Sequence, residues 1–264
     1  MNSLSSARMI SFSNLTTGYS RKAIGHGLSA YLTKGQLTAL LGTNGVGKST
    51  LLRTLTGLQP PLGGDICLNG KDLRTYTPRT LAQTVSVVLT YRPETDTLTA
   101  AEVVRMGRIP YRHIFSTIND ADNEAVERAM QLTHTALLAQ RTVNTLSDGE
   151  RQRVFIAKAL AQNTPIIVLD EPTAFLDFGS KVETFSLLRQ LAREEGKTVL
   201  LSTHDVEMAL RFADNVWLLS DKLQAGSPEE LSDNGQIAEL FNIEGLIHYD
   251  AANRTFSLSK NEQS

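Results

Sequence analysis

Leu37-Thr38-Ala39-Leu40-Leu41-Gly42-Thr43-Asn44-Gly45-Val46-Gly47-Lys48-Ser49-Thr50 is the stretch on which the reading of this chain turns. Leu37–Leu41 is a short apolar run of the kind that forms a strand buried on both faces. The residues after it fit G-x-x-x-x-G-K-[ST], and a helical pattern, Lys48–Leu55, follows. In that order, the glycines let successive backbone N–H groups turn onto phosphate oxygens, and the helix N-terminus adds partial positive charge. Lys48 then reaches the β- and γ-phosphates, and the Ser49 hydroxyl ligates Mg²⁺. A glycine-rich turn that binds nothing is the bland alternative, and the flanking strand and helix weigh against it. Gly42, Thr43, Asn44, Gly45, Val46, Gly47, Lys48, Ser49 and Thr50 are therefore expected to hold a nucleoside triphosphate.

Working outward, apolar runs at 85–89, 166–169, 198–201 and 216–219 read as further strands. Helical patterns cover 150–162 and 181–195. Alternation of this kind predicts an α/β fold, a P-loop core of mostly parallel sheet. Residues 10–34 and 64–69 read as short strands and turns, hence a small N-terminal antiparallel β layer. Residues from about 92 to 163 read as an inserted helical subdomain. The expected organisation is a nucleotide-binding unit over residues 8–245 and a polar C-terminal tail over 246–264.

Composition narrows the class. The chain has 264 residues, a formal net charge of −2 and ordinary hydrophobic and charged fractions. That balance argues against a protein whose main task is gripping nucleic acid. Cys67 is the single cysteine, so no disulfide can form within the chain, which fits a reducing compartment. No secretory signal is visible at the N-terminus, and no apolar run approaches the ~20 residues of a spanning helix. Work at a membrane would require docking on another chain.

Two further motifs carry chemistry. Asp170 and Glu171 end an apolar strand, at the carboxyl edge of a parallel sheet where such folds bind ligands. Beside a phosphate loop, Asp170 is placed to hold Mg²⁺ through water, and Glu171 to orient or deprotonate an attacking water. A solvated charge pair at a strand end is the alternative. Leu146-Ser147-Asp148-Gly149-Glu150 has a structural reading as a capping box, Ser147 capping a helix and Glu150 reaching back. A capped helix start is also an anion site, so the two readings are compatible.

The phosphate loop, Ser147 to Glu150 with Arg151-Gln152-Arg153-Val154, the acid strand, Leu176-Asp177, and Ser202-Thr203-His204-Asp205 stand in the order and spacing of the ATP-binding cassette (ABC) family. The chain resembles a subunit of that family over most of its length. The resemblance implies an ATPase using ATP and Mg²⁺, and a homodimer in which Ser147, Asp148, Gly149 and Glu150 of one copy close over nucleotide held by the other. It further implies that Tyr19 stacks on adenine, that Asp177 belongs to a loop crossing the dimer interface, and that His204 touches the γ-phosphate and counts with Glu171 and Lys48 as catalytic. Without it, Tyr19 reads as a turn residue and His204 as a loop residue before a helix cap at Asp205.

This chain departs from the family pattern in two places. Thr90 stands where a Mg²⁺-ligating glutamine is usual, so that contact is expected to be water-mediated or lost. Asp148 and Glu150 stand where glycine and glutamine are usual. They should repel a triphosphate unless they point away or Arg151 and Arg153 compensate.

Val103-Val104-Arg105-Met106-Gly107-Arg108-Ile109-Pro110-Tyr111 resembles a stretch of the importer branch serving ferric siderophores, haem and cobalamin. Its alternative is an amphipathic helix stopped by Gly107 and Pro110. The branch implies a permease dimer and a periplasmic or surface substrate-binding protein as partners, and a place on the cytoplasmic face of the cell membrane. The rivals are a soluble cassette ATPase acting on nucleic acid or ribosomes, and a GTPase or small-molecule kinase. The first often carries two cassettes or long insertions, absent here. The second leaves Ser147 to Glu150 unexplained, and no Asn-Lys-x-Asp guanine motif occurs.

Overall fold

The computed structural model describes residues 8–19, 22–89, 97–112, 119–242 and 247–258. β1 (Arg8–Tyr19) and β2 (Lys22–Thr33) pair antiparallel, and β3 (Leu37–Leu41) runs through the glycine loop into α1 (Lys48–Leu55). β4 (Gly63–Leu68), β5 (Lys71–Asp72), α2 (Pro78–Ala82) and β6 (Val85–Val88) follow. Next come α3 (Ala100–Arg105), a 3-10 segment (Met106–Tyr111), α4 (Asp120–Leu132) and α5 (Asp148–Ala161). Strand and helix then alternate through β7 (Ile166–Asp170), α6 (Phe178–Arg193), β8 (Thr198–Ser202), α7 (Val206–Phe212) and β9 (Asn215–Leu219). Last are β10 (Leu223–Gly226), α8 (Pro228–Asp233), α9 (Gln236–Phe241), β11 (Ile247–Asp250) and β12 (Thr255–Leu258).

The main sheet has the order β10-β9-β3-β8-β7-β6, parallel except for β10. Its central strands β3, β7 and β8 are mostly apolar and buried along their whole length because both faces are covered, and the period of two divides their side chains between two cores. Ala39, Ile167, Leu169, Val199, Leu201, Val216 and Leu218 face the helical side. Leu40, Ile166, Val168, Leu200 and Trp217 face the other side, with Leu51, Leu52 and Leu55 of α1. A second sheet, β2-β1-β4-β5, closes that side, and Phe12 meets Trp217 edge-on at 5.5 Å. Burying each leucine of α1 contributes about 2 kcal/mol, which locks the helix behind the phosphate loop.

The antiparallel layer and the parallel core are as the sequence predicts, with small boundary differences. The helix expected from 181 begins at Phe178, because the Asp177 side chain accepts from Ser180 N and caps it. The helix read as stopped by Gly107 and Pro110 ends at Arg105, and a 3-10 segment carries the chain on through Tyr111. Gly107 is needed there for close packing, since a Cβ would collide with the Lys158 carbonyl of α5. Arg108 is buried: its Nε donates to Asp122 of α4 at 2.8 Å and its Nη1 to the Ala161 carbonyl at 2.8 Å. The importer-like stretch is thus an internal brace between α3, α4 and α5, with Ile109 60 % exposed beside it.

The segment read as a polar tail contains the β11–β12 hairpin, which packs on the domain. Tyr249 is 3 % exposed, joins the helical-side core and bonds Ser232. Phe256 N donates to Glu207 of α7 at 3.0 Å.

Candidate active site

Strands β3, β8 and β7 lie side by side, so their carboxyl ends deliver three loops to one edge of the sheet. The first is the glycine loop. Gly47 takes the N-cap position of α1 at φ 106°, a left-handed conformation that side chains resist, and no side chain caps the helix. The N–H groups of its first turn are left for an anion. Lys48 Nζ folds back onto the Gly42 carbonyl at 2.9 Å and the Thr43 carbonyl at 3.3 Å. Burial pulls its ammonium below the ordinary lysine value, while Glu171 and Asp170 pull it back up. A poorly hydrated cation of this kind interacts strongly with phosphate.

The second loop follows β7. Asp170 Oδ1 accepts from the Ser49 hydroxyl at 3.1 Å and from the Ser202 hydroxyl at 2.7 Å. Glu171 turns out of the strand at φ 51°, uncommon for a residue with a side chain. Its N–H donates to Ser202 Oγ at 2.9 Å. The third loop follows β8. His204 sits between the other two, with Nε2 2.6 Å from Glu171 Oε1 and Nδ1 3.5 Å from Lys48 Nζ. A cation, an imidazole and a carboxylate are therefore in line above a hydroxyl–carboxylate pair.

The loop residues, Asp170, Glu171 and His204 thus come together. Ser202 gains a role: it opens the Ser202–Asp205 stretch quoted for the resemblance, but its hydroxyl means little until β7 and β8 are known neighbours. Asp205 differs from the expected helix cap. Its side chain makes no cap bond; it accepts from Thr173 Oγ1 at 2.9 Å and from Lys181 Nζ at 2.8 Å. Tyr19 lies at the end of β1, 44 % exposed, with Arg53 Nη1 3.5 Å from its hydroxyl. Thr90 lies outside the described residues.

Ser147 to Glu150 form the start of α5, as a capping box. Ser147 Oγ accepts from Glu150 N at 3.3 Å, and Glu150 Oε2 from Ser147 N at 2.9 Å. Chiefly that backbone bond, helped by Arg141, holds the Glu150 carboxyl below its ordinary value. The two extra carboxylates are compensated, though not quite as expected. Arg151 is 3.4 Å from Asp148, Arg141 is 3.2 Å from Glu150, and Arg153 turns instead to Glu183. Gly149 is buried against Ser180 of α6, near Asp177. Hydrogen bonds from Ser180 hold the Asp177 carboxyl below its ordinary value.

A cavity of only about 40 Å³ lies between Asp148, Arg151 and Gln152 on one side and Asp170, Glu171 and Pro172 on the other. No residue of the glycine loop lines it.

The ABC transporter family model matches residues 26–174, which span the glycine loop, the α5 start and the acid strand. The chain belongs to the ABC transporter family. As an ABC cassette it binds and hydrolyses ATP. It is 37 % identical over 235 residues to the achromobactin transport ATP-binding protein CbrD of Dickeya dadantii, covering 88 % of this chain and 87 % of that one. It is 35 % identical over 271 residues to the iron(3+)-hydroxamate import ATP-binding protein FhuC of Bacillus subtilis, covering 100 % and 98 %. CbiO1 of Clostridium perfringens, part of the ABC transporter complex CbiONQ, superposes with a TM-score of 0.77 at 26 % identity, covering 88 % of this chain and 94 % of that one. A bacterial ABC transporter cassette solved as a dimer superposes at 0.72 with 27 % identity, covering 83 % and 99 %. No helix among the described residues of this cassette is long and apolar enough to cross a membrane.

Proposed function

We propose that this cassette is the ATPase of an importer for ferric siderophores or related metal chelates, docked on a permease dimer at the cytoplasmic face of the membrane and served by a substrate-binding protein. The line of Lys48, His204 and Glu171 at the sheet edge carries the hydrolytic part of this reading. The iron-hydroxamate and achromobactin transport relatives support the cargo class. Haem and cobalamin are the related cargoes to test against it. Residues 8–245 act as the nucleotide-binding unit.

In this reading, ATP lies with its phosphates on Gly42–Thr50 and its adenine against Tyr19. Ser49 and Asp170 offer the hydroxyl and carboxylate oxygens that a hard divalent cation prefers, and they fit Mg²⁺ held with the substrate's phosphates. Bound there, Mg²⁺ neutralises charge on the β- and γ-phosphates. Lys48 gives up its carbonyl contacts for the phosphates. Glu171 accepts the proton of the attacking water, which forms the new P–O bond as the bond to ADP breaks. His204 orients the γ-phosphate and the base. Ser147 and Gly149 of a second copy complete the anion cradle, and Asp177 lies at the junction.

Glu171→Gln tests the base. The amide keeps the shape but cannot take a proton, so ATP binding should persist while turnover falls ~100-fold or more. Near-normal hydrolysis would reject the assignment. Uptake of labelled ferric chelate, haem and cobalamin by a deletion strain tests the cargo. Loss of cobalamin or haem uptake with ferric chelate uptake intact would reject the siderophore reading, and ribosome co-sedimentation without a membrane partner would reject transport.

A further inference from the structure

The turn carrying His204 is held by an ion pair outside the reacting groups. Val206 N donates to the His204 carbonyl at 3.0 Å, and Asp205 between them has φ −82° and ψ 78°. These values describe an inverse γ-turn, a sharp bend whose direction depends on the residue at its centre. On this bend the His204 ring meets Glu171, and the Asp205 carboxylate has partners of its own. That carboxylate meets Thr173, two residues beyond Glu171, and Lys181 on the first turn of α6.

Lys181 is poorly placed for its own helix. A cation near a helix N-terminus opposes the macrodipole, and the Asp177 carboxylate that caps this end bonds Ser180 rather than Lys181. What Lys181 gains is Asp205, at 2.8 Å, with the two side chains only 26 % and 25 % exposed. The same end of α6 is capped by Asp177, four residues earlier.

We propose that Lys181 is a positioning residue for hydrolysis: its ion pair with Asp205 holds the His204 turn against Glu171 and ties that turn to the α6 end that carries Asp177. The inference rests on the roles given above to His204 and Glu171. Movement of the α6 start when a second copy engages Asp177 then passes through Lys181 and Asp205 to His204. Lys181 bonds Asp205 and lies outside the glycine loop, so its loss should affect turnover rather than ATP capture.

The test is steady-state ATPase kinetics on the full chain. Lys181→Met keeps the apolar stem and removes the charge. It should lower kcat about tenfold, as small misplacements of catalytic groups do, with KM for ATP within about twofold. Lys181→Arg should restore kcat to within about threefold of wild type. Asp205→Asn should show the same loss, and Lys181→Met with Asp205→Asn should be no worse than Asp205→Asn alone, because one interaction is removed once. Far-UV circular dichroism and the ATP-induced shift in melting temperature should stay near wild type. Lys181→Gln serves as the second variant if methionine prevents folding.

An unchanged kcat in Lys181→Met, or losses that multiply in the double variant, would overturn the inference. His204→Ala separates the two levels. An inactive His204→Ala beside a fully active Lys181→Met rejects the inference alone, whereas a normal His204→Ala rejects the underlying reading of the site.

Discussion

Glu150 shows how a residue that looks wrong for its task is accommodated. A carboxylate in the first helical turn is favoured by the macrodipole, and at the third position it closes the capping box. The Ser147 N–H and Arg141 hold it ionised, and Arg151 answers Asp148. A lowered carboxyl pKa adds stability that is fully present above the unfolded value of 4.5 and is lost as pH falls through the folded value. Glu150→Gln keeps the capping geometry and drops the charge. It should cost about 0.5 kcal/mol at neutral pH, in an unfolding titration against wild type. The difference should hold down to pH 4.5 and shrink below it; a constant difference down to pH 3 would mean that charge is not the cause. The charge problem was legible in the sequence, and half of its solution was. Arg151 is one helical turn from Asp148, whereas Arg141 reaches Glu150 across an irregular segment with no periodicity to read.

Among the elements, those with a strong local pattern were the legible ones. β3, β7 and β8 are mostly apolar runs, and α1 and α5 start at recognisable loop and capping signals. The β11–β12 hairpin has no such pattern. Its strands are four residues each, and its apolar content becomes meaningful only when Tyr249 and Phe256 are paired across it, with rings 5.0 Å apart. Phe241 of α9 stands edge-on to Phe256, and Ser232 of α8 bonds the Tyr249 hydroxyl. The hairpin is therefore a lid over the last two helices. Tyr249→Ala should destabilise the fold by about 3 kcal/mol through the lost aromatic burial, measured by urea unfolding. A loss under about 0.5 kcal/mol, the level of an ordinary surface change, would show that the hairpin contributes little to the core.

For the whole molecule, the question is how the α5 start meets a nucleotide. Within one chain, the cleft beside the α5 start is lined by Asp148, Asp170 and Glu171 and by no residue of the glycine loop. Phe175 and Phe178, on either side of Asp177, are 65 % and 73 % exposed, as expected of a junction with another copy. If two copies share their sites, Lys48→Ala and Ser147→Arg chains are each inactive alone, because both sites of each homodimer are broken. A mixed dimer has one intact site and one doubly broken site. Random mixing should therefore recover about a quarter of the wild-type ATPase rate. No recovery, with mixed dimers demonstrated by differential tags, would mean that each chain completes its own site.

By itself the sequence determined the phosphate loop, the acid-ended strand, the capped α5 start and the α/β plan with its antiparallel layer. Each of these is a local pattern whose spacing follows directly from strand or helix geometry. Only the tertiary structure decided that β3, β8 and β7 are neighbours. That order places Ser202 on Asp170, His204 between Lys48 and Glu171, and Lys181 on Asp205. Sequence separation carries no information about which loops share a sheet edge; hydrogen-bonded strand pairing and the burial of both sheet faces supply it.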